Sequence, residues 1–112
     1  MKLPNAKKAV IEREKVVAYL LNPLHPDAIG KAKFFLALGF RPGEWQTFAE
    51  ALRELARVSP VADKMVTGHG TKYTIIGALR TPCGEQPAVK TVWIVDRGAT
   101  VPRLVTAYPY EE

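Results

Sequence analysis

Apolar residues recur in steps of three and four as far as Val58 and alternate with polar ones beyond it, so the chain reads as helices followed by strands. Val16, Val17, Leu20 and Leu21 fall on one face of a helix over 12–21, with Glu12, Arg13 and Glu14 toward water and Asn22-Pro23 ending it. A short extended piece is expected before it, around Ala9 to Ile11. The second helix runs from about Gly30 to Leu38, with Ile29, Ala32, Phe35 and Leu36 as its main apolar face and Gly39 as its stop. Phe34 and Leu38 point elsewhere, so this helix is expected to be largely buried. The third is the clearest: Trp45, Phe48, Ala49, Leu52, Leu55 and Ala56 form one stripe between the turn Arg41-Pro42-Gly43 and the stop Ser59-Pro60. Trp45 opens that stripe, so it is read as core and not as a platform for a nucleic-acid base.

Strands are predicted at about 61–67, 71–79, 88–96 and 103–108. Thr67-Gly68-His69-Gly70, Thr81-Pro82-Cys83-Gly84 and Arg97-Gly98-Ala99 mark the connections between them. This order implies an α+β domain in which N-terminal helices pack on a C-terminal antiparallel sheet of about four strands. One domain is expected over 1–112, with a helical half at 1–58 and a sheet half at 59–112.

Composition narrows the class. With 47% hydrophobic and 24% charged residues, the 112-residue chain should fold alone. The apolar runs Val16–Leu21 and Phe34–Leu38 are too short for a bilayer span, and Met1-Lys2-Leu3-Pro4 leads into no signal-type segment, so no membrane partner is expected. Cys83 is the only cysteine, which excludes an intrachain disulfide and a thiolate metal cluster and fits a cytoplasmic setting. The net charge is +5, and it is uneven: residues 1–58 carry ten basic groups against six acidic, residues 59–112 six against five. An excess of this size favours polyanions and adds support to an RNA partner without establishing one.

The candidate chemistry begins at Asn22-Pro23-Leu24-His25-Pro26, which runs into Lys31-Ala32-Lys33. Asn22 and His25 each precede proline and are pushed into extended conformations, so the imidazole sits on a stiff connector beside a basic helix start. Histidine near ammonium groups suits phosphate chemistry. A Pro-flanked connector also joins helices with no chemical role, and the sequence weighs the two readings evenly. In the last strands, alternation places Thr91 with Trp93 and Thr106 with Tyr108. Hydroxyls there are either ordinary strand residues or part of a sheet face where Thr106, Tyr108 and Arg103 or Lys72 meet a phosphate. Arg103 and Thr106 have opposite parity, so they share a face only if a bulge or the strand end re-aims the arginine.

Cleaving RNA without a metal needs a base for the 2′-hydroxyl, an acid for the leaving oxygen and donors for the phosphorane. His25 is a candidate base or acid, Lys31, Lys33 and Arg103 are candidate phosphate ligands, and Tyr108 or Thr106 is a candidate donor. Metal ligation is poorly supported, since the two histidines lie 44 positions apart with no acidic pair at ligand spacing. Gly68-His69-Gly70 lacks the following helix and the Lys-Ser or Lys-Thr of a phosphate loop. Cys83 has no neighbouring base in sequence, no nucleophile elbow is present, and no cofactor is expected.

Several segments carry a resemblance: Pro4-Asn5-Ala6, Tyr19-Leu20-Leu21-Asn22-Pro23-Leu24-His25-Pro26, Lys31-Ala32, Leu38-Gly39, Thr91-Val92-Trp93-Ile94 and Pro102-Arg103-Leu104-Val105-Thr106. Together they resemble an uncharacterised family of small bacterial domains found alone or at the C-terminal end of large toxin-like polypeptides. The last strand, Leu104 to Pro109, also resembles the final strand of metal-independent toxin ribonucleases of the barnase, EndoU, colicin and RelE group. The resemblance implies helices followed by a twisted antiparallel sheet that binds RNA, with a toxin or antiphage role and a neutralising antitoxin or immunity protein. Members often place glycine two residues after the His-Pro pair, whereas Ala28 stands here and Gly30 follows. Two classes remain open: an endoribonuclease-like domain, and a non-catalytic RNA- or protein-binding module on the same fold. Oligomeric state is not readable from the sequence.

Overall fold

The structure, a computed structural model, describes residues 1–111. Three helices precede four strands, as the change of period predicts. Helix α1 is one α-helical turn, Arg13–Lys15, that widens into a π-helical stretch, Val16–Leu20. The i to i+5 bond from Leu21 N–H to Val16 C=O closes it at 2.8 Å. Helix α2 covers Ile29–Ala37 and α3 covers Trp45–Val58. Strands β1 (Val61–Thr67), β2 (Gly70–Ala78), β3 (Ala88–Asp96) and β4 (Arg103–Pro109) form an antiparallel meander in sequence order.

Gly39 ends α2 because it alone tolerates the required φ of 102°. Its N–H reaches Leu36 C=O at 3.0 Å, and that of Phe40 reaches Phe35 C=O at 3.4 Å, which satisfies two carbonyls the helix end would leave open. The reversal drops Phe40 into the core against Phe48, centroids 4.6 Å apart, while Phe35 meets Phe48 at 4.8 Å. Ile29, expected on the buried face of α2, is 44% exposed at the first position of the helix. Ala32 and Phe35 are buried as expected, Leu36 is only partly buried, and Leu38, expected off that face, is buried with them. Trp45 packs against the core as a partly buried residue.

One face of the sheet carries Tyr73, Ile75, Val89, Thr91, Trp93, Leu104 and Ala107, all buried under the helices. Thr91 and Trp93 therefore belong to the core. Trp93 Nε1 donates to Thr91 Oγ1 at 2.8 Å, and Thr91 donates to Ile75 C=O at 3.0 Å, so their polar atoms are spent inside the protein. The other face is open. The N-terminal segment docks at the β4 edge through Val10, whose N–H reaches Pro102 C=O at 2.8 Å and whose C=O takes Leu104 N–H at 2.9 Å; the expected extended piece is this single bridge. No helix is long and apolar enough to cross a membrane among the described residues.

Candidate functional site

The connector after α1 is two successive β-turns, each with proline second. His25 N–H bonds Asn22 C=O at 3.2 Å and Ala28 N–H bonds His25 C=O at 3.0 Å. Asn22 Oδ1 takes the N–H of Leu24 at 3.0 Å. Proline fixes φ in both turns, so the imidazole is placed with little freedom. The N–H of Asp27 donates to His25 Nδ1 at 3.1 Å, and that bond occupies the Nδ1 lone pair.

On β4, Val92 pairs with Thr106 but Trp93 pairs with Leu104, so Val105 is an extra residue in the strand. This bulge lets Leu104 and Ala107 both point into the core while Arg103 and Thr106 share the open face. Cross-strand partners share a face, so the row Lys72, Ile94, Arg103 and the pair Lys90, Tyr108 lie on that open side too.

Helix α2 flanks the β4 edge and carries Lys31 round it. Lys31 Nζ donates to Tyr19 Oη at 2.6 Å and to Thr106 Oγ1 at 3.3 Å, and lies 4.9 Å from the Tyr19 ring centroid and 5.7 Å from that of Tyr108. His25 meets the Tyr19 ring edge-on at 5.0 Å. Tyr19, His25, Lys31, Arg103 and Thr106 thus line one open cleft of about 740 Å³, rimmed by Glu12, Glu14 and Lys15.

The electrostatics follow from these contacts. The Lys31 hydrogen bond holds the Tyr19 phenol below its ordinary value; burial opposes this, and the Thr106 hydroxyl and the charges of Lys31 and Lys15 reinforce it. Asp96 grips Arg103 through bonds of 2.7 Å from Nε and 3.1 Å from Nη2. That pairing depresses the Asp96 carboxyl and raises the Arg103 guanidinium. One edge of the guanidinium, Nε with Nη2, is therefore committed to Asp96.

Of the residues singled out in the sequence, His25, Lys31, Arg103 and Thr106 meet in the cleft and Tyr108 borders it through Lys31. Lys72 lies on the same sheet face, two strands away. Lys33 is exposed and lies outside the cleft, since residues two apart on a helix do not face the same way. Tyr19 carries no such signal in the sequence. It stands in the motif beside Asn22-Pro23, but its aim depends on the π-helical turn, which no local pattern marks. Cys83 is exposed and His69 lies at the β1–β2 turn, both away from the cleft. No group of three or more His, Cys, Asp or Glu side chains is arranged to hold a metal among the described residues.

A family model matches residues 2–111, nearly the whole chain. The chain belongs to the family described as Domain of unknown function (DUF6883). No curated protein matches it. Among solved structures, it is similar to a chain of the contact-dependent growth inhibition toxin–immunity protein complex from Klebsiella pneumoniae 342. The TM-score is 0.72 at 14% identity, over 90% of this chain and 99% of that one. At that identity the likeness establishes a shared fold.

Proposed function

We propose that this chain is a toxin-like, metal-independent endoribonuclease domain that binds RNA across the open sheet face and cleaves it in the cleft at the β4 edge. The observation that carries this reading is the Lys31 ammonium, held between Tyr19 Oη and Thr106 Oγ1 beside His25. It supplies a cation, two hydroxyls and an imidazole within one site, the set that in-line attack by a 2′-hydroxyl requires. Arg103 and Lys31 receive the scissile phosphate, the 2′-oxygen bonds to phosphorus as the 5′-oxygen leaves, and a 2′,3′-cyclic phosphate remains. Lys72 and Lys90 on the same face take neighbouring phosphates, with Lys33 contributing from outside the cleft. The likeness to a chain of a toxin–immunity complex supports a neutralising protein as partner.

The second reading, a non-catalytic RNA- or protein-binding module, draws on the carboxylates. Glu12 and Glu14 rim the cleft, and Asp96 already neutralises Arg103. Both oppose entry of a phosphate.

Induced expression in bacteria tests the proposal. Wild type should halt growth and fragment cellular RNA, while folded Lys31→Ala and His25→Ala at equal levels should do neither. Growth arrest with intact RNA would favour the binding module, and normal growth with intact RNA in the presence of abundant folded wild type would overturn the toxin reading.

A further inference from the structure

The hydrogen bond from Asp27 N–H engages the Nδ1 lone pair of His25 at 3.1 Å. The neutral ring therefore carries its proton on Nε2, because a proton on Nδ1 would set two donors against each other. In that tautomer Nε2 is a donor with no lone pair to accept a proton. The imidazole is thus built to give a hydrogen bond, not to act as a base. The group beside it is different. Tyr19 Oη and Lys31 Nζ are 2.6 Å apart, Thr106 Oγ1 lies on the same ammonium, and Lys15 Nζ is 5.5 Å from the Tyr19 ring centroid.

We propose that Tyr19 and Lys31 form the proton-carrying pair of this site, with Tyr19 as the base, Lys31 as the acid and His25 as a neutral donor to a phosphate oxygen. The inference rests on the ribonuclease reading above. The Tyr19 phenolate takes the proton of the ribose 2′-hydroxyl while the 2′-oxygen bonds to phosphorus. The bond from phosphorus to the 5′-oxygen breaks, and the Lys31 ammonium gives its proton to that oxygen. The pair is left as phenol and amine, and one proton crossing the short Oη to Nζ contact restores phenolate and ammonium. No proton is gained or lost over the cycle, so the pair needs no solvent exchange to reset.

The lowered phenol agrees with this assignment. The charged or titratable groups around it are Glu12, Glu14 and Lys15 from its own helix and the residues leading into it, His25 from the connector, Lys31 from α2 and Arg103 from β4. Of these surroundings Lys31 and Lys15 act on it as cations, and the Thr106 hydroxyl reinforces them.

The test combines a tyrosinate absorbance titration with cleavage kinetics on wild type, Tyr19→Phe, Lys31→Met and His25→Gln. One tyrosine should ionise below the rest, vanish from the titration of Tyr19→Phe and return toward the ordinary range in Lys31→Met. Tyr19→Phe should lose about 10²–10⁴-fold in kcat with KM little changed. His25→Gln keeps a donor near Nε2 and should lose about tenfold or less. Wild-type rates in Tyr19→Phe, or no early-ionising tyrosine, would overturn the pair while leaving the ribonuclease reading intact. Absence of cleavage by wild type would overturn that reading and the pair with it.

Discussion

Arg103 and Thr106 face the same cleft although three positions separate them on one strand, because Val105 is an unpaired extra residue between the Val92 to Thr106 and Trp93 to Leu104 pairs. A regular strand would send one of them into the core. The bulge lets β4 seal the interior with Leu104 and Ala107 while presenting both polar groups outward.

Thr106→Val tests the value of that presentation. It keeps the side-chain shape and removes the oxygen that accepts from Lys31. Thermal stability should stay within about 1 kcal/mol of wild type, since the site is partly exposed, and RNA cleavage should fall about tenfold. Denaturation and initial-rate measurements on the same preparation check both.

Asp96→Asn should separate stability from binding. Arg103 depresses the Asp96 carboxyl, so the pair's contribution to stability is present above the ordinary aspartate value of about 3.9 and is lost as pH falls through the lowered folded value. The variant should therefore show a flatter acid limb of Tm against pH. Arg103 is released at the same time, so RNA affinity should rise and its salt slope steepen by about 0.7, one counterion's worth for a single strand. Binding isotherms at several salt concentrations read that slope.

Thr91→Val removes the acceptor of Trp93 Nε1 and the donor to Ile75 C=O in a fully buried position. The two groups left unpaired should cost about 1–3 kcal/mol, seen as a lower urea midpoint at unchanged m-value. Unchanged stability would mean that the hydroxyl is not part of the core network.

Much of the fold is legible in the chain because local rules and tertiary packing agree. The alternation over Val61 to Thr67 and Ala88 to Asp96 places β1 and β3 at their observed bounds, and the Trp45 stripe places α3. The α1 region is less legible, because a π-helical turn differs from an α-helical one by a register that composition does not mark. The site divides the same way. His25 and Lys31 announce themselves by their neighbours in sequence. Tyr19 and Asp96 act through contacts across 12 and seven positions, to Lys31 and Arg103, and only the folded chain brings those pairs together.

The most direct measurement is incubation of purified protein with mixed transfer and ribosomal RNA in EDTA, reading the fragment ends. The account predicts fragments ending in 2′,3′-cyclic phosphate from wild type and none from folded Lys31→Met. Intact RNA after incubation with folded wild type, or cleavage that EDTA abolishes, would contradict it.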